Sequence, residues 1–410
     1  MWLYCILFFL TIPAVVFADW ADFYGSISEG SGAFSDANTG LTAFPTLQIP
    51  MGGLYEGMGT AYTAVLNDSG FIEANPAGSS VIDYTELAVQ HNNWIADANM
   101  EGVVYTIRYN DLGIGFGGKF LYVPFTGYNE WADRTGKGYY SETIGTLNVS
   151  YNFFSTYRFF GLAVGANLKA AYRNVPTSIY SDEYSNQSAF AAMADFGLLT
   201  RFNLLKFYVS RDKNFSLGAV IKNLGFPVDG DPLPTVATLG LAYSPIRPVL
   251  VSADFNLPVS LDPEIPAEEF NVAAGTNIAV TDFFSVHGGF QYRGANPRIS
   301  IGSSVELKEV RIVMNYTLDL TTQIKVFDRM SVSAVLKLGD EGRHSIRERV
   351  DELYIAGLEA YAKGDLENAV KYWEAAIELN PQFQPAIDNL ELAKRAIQLQ
   401  KEMERINRVE

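Results

Sequence analysis

Residues 310–320 read Val-Arg-Ile-Val-Met-Asn-Tyr-Thr-Leu-Asp-Leu, and an apolar or aromatic side chain occupies every even position from Val310 to Leu320. Polar residues, among them Arg311 and Asp319, occupy most of the odd positions. Successive side chains of a β-strand point to opposite faces, so this stretch predicts a strand with one apolar and one polar face. It is longer than a typical globular strand and long enough for a tilted strand that crosses a membrane.

The same alternation recurs between residues 84 and 339. Segments that carry it lie near residues 84–94, 99–109, 112–123, 140–153, 158–173, 187–203, 214–224, 234–244, 248–258, 269–280, 283–292, 297–307, 310–320 and 329–339. Short connections, such as Asn110-Asp111 and Lys308-Glu309, contrast with long ones at residues 126–139 and 174–186. Short turns at one end and long loops at the other are typical of outer-membrane barrels. We therefore predict a mainly β fold, an antiparallel transmembrane β-barrel of about 14 strands; a large soluble β-sandwich or propeller is the alternative.

The composition narrows the class of protein. The 410 residues include 30 Lys and Arg against 46 Asp and Glu, a formal net charge of −16 that argues against a nucleic-acid partner. Aromatic residues make up 13% of the chain and charged residues only 19%, and there are 35 glycines. Beyond the first residues, no apolar run approaches the roughly 20 positions of a membrane helix. The chain is thus apolar without the pattern of a helical membrane protein.

The N-terminal residues resemble an export signal. Residues 1–18 are apolar and end in Val16-Phe17-Ala18, a small-x-small cleavage pattern, although no Lys or Arg precedes them. We interpret them as a signal peptide and residues 19–43, rich in Ser, Gly, Ala and Asp, as a flexible leader. Cys5 is the only cysteine of the sequence. A mature chain without it would have no disulfide, no cysteine zinc site and no thiol nucleophile.

Residues 340–410 form a separate region with another periodicity. Charged residues account for 25 of these 71 positions, against 51 of the preceding 339. Residues 351–381 place small and aromatic residues as a tetratricopeptide repeat does, namely Gly357, Gly364, Ala369, Trp373, Ala376 and Pro381. A further amphipathic helix is predicted from about residue 384. One repeat plus one helix is marginal alone, so we predict docking on a partner, on a second copy or on the barrel rim, with Tyr354, Tyr361 and Trp373 as the partner-binding residues. A solvated helical tail is the alternative.

Residues 44–83 are too apolar for a linker and do not alternate as a spanning strand would. Gly52-Gly53 and Gly57-Met58-Gly59 precede a short apolar stretch, and Asn75-Pro76-Ala77-Gly78 predicts a turn. Ahead of a barrel, the simplest arrangement is a plug that folds into the lumen. The predicted domains are therefore a signal peptide (1–18), a leader (19–43), a hatch or plug (44–83), a barrel (84–339) and a helical domain (340–410).

This block resembles the N-terminal hatch of the FadL long-chain fatty-acid transporter superfamily, including its PorV-like branch. The matching residues are Leu47, Ile49, Gly53, Gly57, Met58, Gly59, Ala61, Asp68, Ser69, Asn75, Pro76, Ala77 and Gly78. Residues 195–199 and 217–225 also look PorV-like, and the resemblance covers roughly residues 41–339. The chain departs from the pattern where the family tends to carry an arginine, because Leu54-Tyr55-Glu56 stands there. A ligand contact by that arginine is therefore not expected.

The resemblance implies an outer-membrane channel for passive uptake of hydrophobic molecules, in particular long-chain fatty acids, with the hatch controlling the lumen. A PorV-like scaffold for protein secretion or for assembly of a surface complex is the alternative, and an adhesin that uses its long loops is a third hypothesis. No zinc pattern, phosphate loop or Gly-x-Ser-x-Gly elbow is present, so we predict neither an enzyme nor a cofactor. The expected partners are outer-membrane lipid, a hydrophobic ligand and a periplasmic protein bound by residues 340–410, which we place in the periplasm.

Three basic residues are candidates for binding a fatty-acid headgroup. Between residues 19 and 101 there are 11 acidic residues and no Lys or Arg, so the hatch itself offers no cation. Alternation places Arg108, Lys169 and Arg173 on the luminal side. Their alternative role is to pair with acidic residues of the hatch, namely Glu56, Asp68 and Glu73.

Overall fold

A computed structural model describes residues 36–407 except residues 96, 130, 176–187, 209, 263, 295 and 321–328. The predicted signal peptide with Cys5, the leader up to residue 35 and most of the predicted connection at 174–186 lie outside the described residues. Within the described part of the chain, none of the helices combines the length and the apolar character that crossing a membrane requires.

Fourteen antiparallel strands close into a barrel in which each strand pairs with its neighbours in sequence and β1 pairs with β14. The strands are β1 (Thr85–Asn93), β2 (Asn99–Tyr109), β3 (Leu112–Tyr128), β4 (Arg134–Phe153), β5 (Leu162–Asn174), β6 (Ala189–Phe202), β7 (Phe215–Gly225), β8 (Val236–Ile246), β9 (Val249–Pro258), β10 (Asn271–Ala279), β11 (Phe284–Arg293), β12 (Asn296–Glu306), β13 (Val310–Asp319) and β14 (Met330–Gly339). The predicted antiparallel barrel of 14 strands is confirmed. Closure excludes the sandwich and the propeller.

Polar side chains of the strands point into the barrel, and the apolar side chains that alternate with them point outward. On β13, Asn315 and Thr317 are buried inside the barrel, whereas Met314 is 49% exposed on the outside. The outer surface carries a belt of large exposed apolar side chains, which include Leu147, Val149, Leu168, Phe190, Phe196, Leu239, Phe255 and Ile301. A soluble protein rarely leaves such a continuous apolar surface in water, and a membrane barrel presents it to lipid.

The predicted loop at residues 126–139 is wrong in extent. Pairing of β3 with β4 continues from Val123↔Tyr140 through Thr126↔Lys137 to Gly127↔Gly136. The hydrogen-bonded ladder therefore extends the hairpin almost to its tip, although these residues no longer alternate as a spanning strand does. The fifth strand also begins at Leu162 rather than near residue 158.

Residues 44–83, hereafter the luminal segment, lie inside the barrel. The segment contains two short helices, α1 (Gly53–Gly57) and α2 (Phe71–Ala74), and two 3-10 turns, Pro45–Gln48 and Pro76–Ser80. Most of its residues are buried, and Phe44, Met58, Tyr62 and Phe71 are 0% exposed. Its contacts extend around the wall from β1, where Asn92 Nδ2 donates to Pro50 O, to β14, where Ser333 lies beside Gly52.

The chain passes through the barrel from one mouth to the other before β1 begins. β1 starts, and β14 ends, at the mouth formed by short turns such as residues 110–111 and 307–309. Asp36 and Asn38 lie at the opposite mouth, where Asn38 Nδ2 donates to Ala267 O (3.2 Å) and Glu269 N donates to Asp36 Oδ2 (2.8 Å). Residues 36–43 of the predicted leader thus contact the loop after β9. The even strand number places both barrel ends at one mouth, but residue 36 is at the other.

A second compact unit contains Gly339–Glu410 together with Phe153–Gly161. Its helices are α3 (Arg343–Ala362), α4 (Leu366–Leu379) and α5 (Gln384–Asn407). Trp373 is 1% exposed and lies against Gly357, where an added Cβ would approach Trp373 Nε1 to 2.3 Å. Glycine at position 357 therefore permits the close approach of α3 and α4. Phe383 makes edge-to-face ring contacts with Tyr354 and Tyr157, each at 5.3 Å.

Candidate functional site

Inward-facing glycines of the wall make room for the backbone of the luminal segment. A Cβ atom at Gly165 would lie 2.2 Å from Pro76 O, and one at Gly289 would lie 2.0 Å from Gly59 N. Similar approaches to the segment occur at Gly113, Gly197, Gly218 and Gly275. Because real Cβ atoms do not come this close to other heavy atoms, larger residues at these positions would displace the segment.

Asn75 begins the turn that the sequence singled out and bonds in three directions. Its Nδ2 donates to Thr63 O and to Leu198 O, each at 3.0 Å, and its Oδ1 accepts from Ala77 N (3.1 Å). The Ala77 bond caps the 3-10 turn Pro76–Ser80, in which Pro76 takes the favoured first position. Asn75, Pro76, Ala77 and Gly78 are all buried, so this part of the predicted hatch motif packs between the segment and β5–β6.

The other part of the motif, Gly57-Met58-Gly59, packs against β10, β11 and β13. A Cβ at Gly57 would lie 2.2 Å from the His287 ring. Gly59 has φ +63°, a conformation that favours glycine, and Met58 is 0% exposed. The close packing explains the residue types, since neither glycine position has space for a side chain.

Buried ion pairs join the luminal segment to the wall. Glu73 Oε1 lies 2.7 Å from Lys119 Nζ of β3, and Asp68 Oδ2 lies 3.2 Å from Arg311 Nη1 of β13. Lys119 also donates to Ile49 O. Glu73 and Asp68 thus have cationic partners, but on strands that the sequence did not single out.

Glu56 is buried, and no cation of the described residues contacts its carboxylate. Thr317 Oγ1 donates to its Oε1 (2.9 Å) and Asn92 Nδ2 donates to its Oε2 (3.3 Å). Burial raises the pKa of Glu56 to about 7, because removing a carboxylate from water disfavours its charged form. The luminal segment therefore contains one carboxyl group that titrates near neutral pH.

A cavity of about 120 Å³ lies between the luminal segment and the wall on the side of the long loops. Apolar side chains that line it are Leu41, Leu47, Ile49, Met51, Ile72, Ile144, Leu233 and Val236. Polar groups that line it include Tyr55, Glu73, Lys119, Lys169, Lys222 and Arg293. Small-molecule sites commonly combine apolar lining with placed polar groups, and this cavity has both, with a larger polar share than most.

Of the three basic residues singled out from the sequence, Lys169 lines this cavity. Its Nζ lies 2.6 Å from Asp195 Oδ2 and 3.0 Å from Asn223 Oδ1, so an acidic residue of the wall neutralises it. Arg173 contacts Asp229 (3.4 Å) and lies over the Phe44 ring. Arg108 lies at the end of β2, where Nη1 donates to Ile82 O (3.0 Å) and Nε donates to Asn110 O (2.7 Å). The structure does not bring these three residues together.

The sequence reading missed Lys222, which a β-bulge turns into the lumen. Ala194 pairs with Leu224 and Phe196 with Ile221, so that Lys222 and Asn223 together face Asp195. Asn223 has φ +59°, and both side chains point inward because two residues oppose one. The signal in the sequence is the consecutive Lys-Asn pair within an otherwise alternating strand.

The aromatic candidates of the helical unit differ in exposure. Trp373 is inside its core and donates from Nε1 to Tyr354 O (3.2 Å), so it packs the helices together. Tyr354 Oη accepts from Asn389 Nδ2 (2.9 Å), and Tyr361 is 40% exposed. Of the three, Tyr361 has the most surface available to another molecule. No cluster that could hold a metal ion occurs among the residues that the structure describes.

The fold and the interior define a closed antiparallel β-barrel of the outer-membrane type whose lumen is filled by an N-terminal segment. The chain belongs to UPF0164, described as "Uncharacterised protein family (UPF0164)", which matches residues 22–341. Two UPF0164 proteins of Treponema pallidum (strain Nichols) are 27% and 24% identical to it. The alignments cover 92% and 87% of this chain and 88% and 76% of theirs. Among solved structures, the TodX deltaS2S3 mutant monoaromatic hydrocarbon channel is 13% identical, with a TM-score of 0.46 over 69% of this chain and 97% of that one.

Proposed function

We propose that this protein is a bacterial outer-membrane channel for passive uptake of hydrophobic molecules, with long-chain fatty acids as the ligand. The observation that carries the proposal is the cavity beside the luminal segment, whose lining combines apolar side chains with polar and charged groups. It has room for part of a hydrocarbon chain, and it opens toward the mouth of the long loops, which face outward in outer-membrane barrels. The apolar outer belt supports the location in a membrane.

Uptake by liposomes tests the channel. Vesicles that contain the purified protein should take up labelled palmitate faster than protein-free vesicles. Leu47→Trp, which fills the cavity, should slow uptake, whereas Leu239→Trp should not, because Leu239 is 65% exposed on the outer surface. Equal uptake by protein-containing and protein-free vesicles would contradict a transport function.

In this proposal residues 44–83 act as the hatch that closes the lumen to small solutes. Their burial inside the barrel and their bonds to the wall support this role. Deletion of residues 44–83 should raise the single-channel conductance in planar bilayers above that of the full chain. An unchanged conductance in a barrel that still folds would contradict it.

A scaffold for secretion or surface assembly is the second candidate function. The close glycine contacts and ion pairs of the luminal segment favour it, since they oppose opening of the lumen. In this role residues 340–410, as a tetratricopeptide-like domain in the periplasm, would bind a periplasmic protein. Exposed apolar side chains of α5, such as Leu392, Leu399 and Met403, support such binding. A scaffold would give no palmitate uptake, and deletion of residues 340–410 would remove a co-purifying periplasmic protein.

A further inference from the structure

Lys222 differs from the other basic side chains that line the cavity. Lys119, Lys169 and Arg293 each contact a carboxylate, at 2.7 Å from Glu73, 2.6 Å from Asp195 and 2.5 Å from Glu268 respectively. For Lys222, no carboxylate of the described residues lies within the 4.0 Å of an ion pair. The one hydrogen bond its Nζ makes to the described part of the chain is long, 3.5 Å to Glu73 O.

Each carboxylate near Lys222 has at least one partner, although Asp254 Oδ1 accepts no hydrogen bond from the described residues. Glu73 pairs with Lys119 and Asp195 with Lys169, while Asp254 Oδ2 accepts the amides of Tyr62 and Thr63 at 3.1 and 3.0 Å. A lysine ammonium has three donor positions and is costly to bury without acceptors. The cavity thus offers a cation with unused hydrogen-bonding capacity, held in place by the bulge of β7.

Tyr55 supplies a second donor in the same cavity. It is partly exposed there, its ring packs edge-to-face on Tyr62 at 6.3 Å, and its hydroxyl bonds to no group that the structure describes. The luminal segment therefore contributes a neutral donor at this point, and the wall contributes the cation.

We propose that Lys222 and Tyr55 form the binding site for the monoanionic carboxylate headgroup of an apolar-chain ligand. The inference rests on the proposed function, because it assigns the headgroup site of the same cavity. Lys222 attracts the carboxylate and donates a hydrogen bond to one oxygen, and the Tyr55 hydroxyl donates to the headgroup. The hydrocarbon chain lies along the apolar lining, which includes Leu47, Ile72 and Leu233.

Affinities of the full-length protein for palmitate and for hexadecanol test the site, because the two probes differ in charge and share the chain. A hydrogen bond to a charged group contributes enough for the wild type to prefer palmitate by about 10–100-fold. Lys222→Met should bring the ratio close to one at an unchanged hexadecanol affinity, which also shows that the variant is folded. Lys222→Arg should keep the preference, and Tyr55→Phe should lower it several-fold.

The double variant Lys169→Met/Asp195→Asn is the matched control, since it removes an ion pair from the same cavity. It should retain the preference for palmitate. Loss of the preference in this control, with retention in Lys222→Met, would overturn the proposal and assign the headgroup to Lys169. Equal wild-type affinities for the two probes would overturn the headgroup site and leave the channel intact. Binding of neither probe would overturn the proposed function itself.

Discussion

Oδ1 of Asn75 occupies the space beside the Cα atom of Gly197, so that a Cβ atom at position 197 would stand 1.9 Å from it. Asn75 cannot retreat without breaking its bonds to Thr63, Leu198 and Ala77. A residue of the luminal segment and a residue of β6, 122 positions apart, therefore restrict each other's identity.

Gly197→Ala should destabilise the barrel because the added methyl group overlaps Asn75. Overpacking of this kind costs about 1–3 kcal/mol in the free energy of unfolding, which urea titration of the vesicle-bound protein measures. Gly145→Ala is the control, since a Cβ there meets no atom within 4 Å. An equal effect of the two substitutions would mean that the contact with Asn75 is not stabilising.

Lys119→Met should be more damaging, because it leaves Glu73 buried without its cation. Breaking a buried ion pair by removing one partner costs about 3–5 kcal/mol. Lys119→Met/Glu73→Gln should recover at least half of that loss, since no uncompensated charge remains. Urea titration of the wild type, Lys119→Met, Glu73→Gln and the double variant measures the coupling, and strictly additive effects would contradict it.

Stability should fall as pH rises from about 4.5 to about 7, in part because of Glu56. Its pKa is raised from 4.5 to about 7 in the folded protein, so the folded state binds the proton more tightly than the unfolded state. Protonated Glu56 contributes at most about 3 kcal/mol to the free energy of unfolding. This contribution is complete below pH 4.5 and is lost by about pH 7. Glu56→Gln should weaken the pH dependence of the urea midpoint between pH 5 and 8. Glu264→Gln, a control at an exposed position, should leave that dependence unchanged. A Glu56→Gln profile that follows the wild type would contradict the assignment.

Gly357→Ala should disrupt the helical unit although alanine favours helices by about 1 kcal/mol over glycine. The methyl group would overlap Trp373, at 2.3 Å from Nε1. Glu359→Ala, at an exposed position of the same helix, should be neutral. Limited proteolysis of the full chain should cut residues 340–410 faster in Gly357→Ala only. Equal protection of both variants would mean that α3 and α4 move apart to accommodate the methyl group without loss of stability, which would contradict the prediction.

Single cysteines should report that the chain is threaded through the barrel. Cys5 is the only native cysteine and lies in the predicted signal peptide, so the unmodified protein is the background control. Ala37→Cys and Glu264→Cys, at the mouth of the long loops, should react with an impermeant maleimide on intact cells. Lys308→Cys, in a short turn, should react only after permeabilisation. Labelling of Lys308→Cys on intact cells would reverse the orientation.

The strands were predictable from the sequence because alternation is a local property. Each strand from β1 to β14 exposes one face to apolar surroundings and one to a polar interior, so its position and its inward side chains can be read from a few consecutive residues. The change to helical spacing after residue 339 is local in the same way. Local patterns failed where both faces of a strand have similar surroundings, as in the outer part of the β3–β4 hairpin, and where a bulge shifts the alternation, as at Lys222.

The contacts inside the barrel could not be predicted from the sequence, because they depend on closure of the barrel. Asn75 and Gly197, Glu73 and Lys119, and Asp68 and Arg311 are brought together by strands that are far apart in sequence. The inward turn of Lys222 depends on a bulge that one strand cannot show without its partner. These contacts depend on which strands become neighbours and on the path of residues 36–84 through the lumen. No local pattern contains that information, because it arises only when the first and last strands pair.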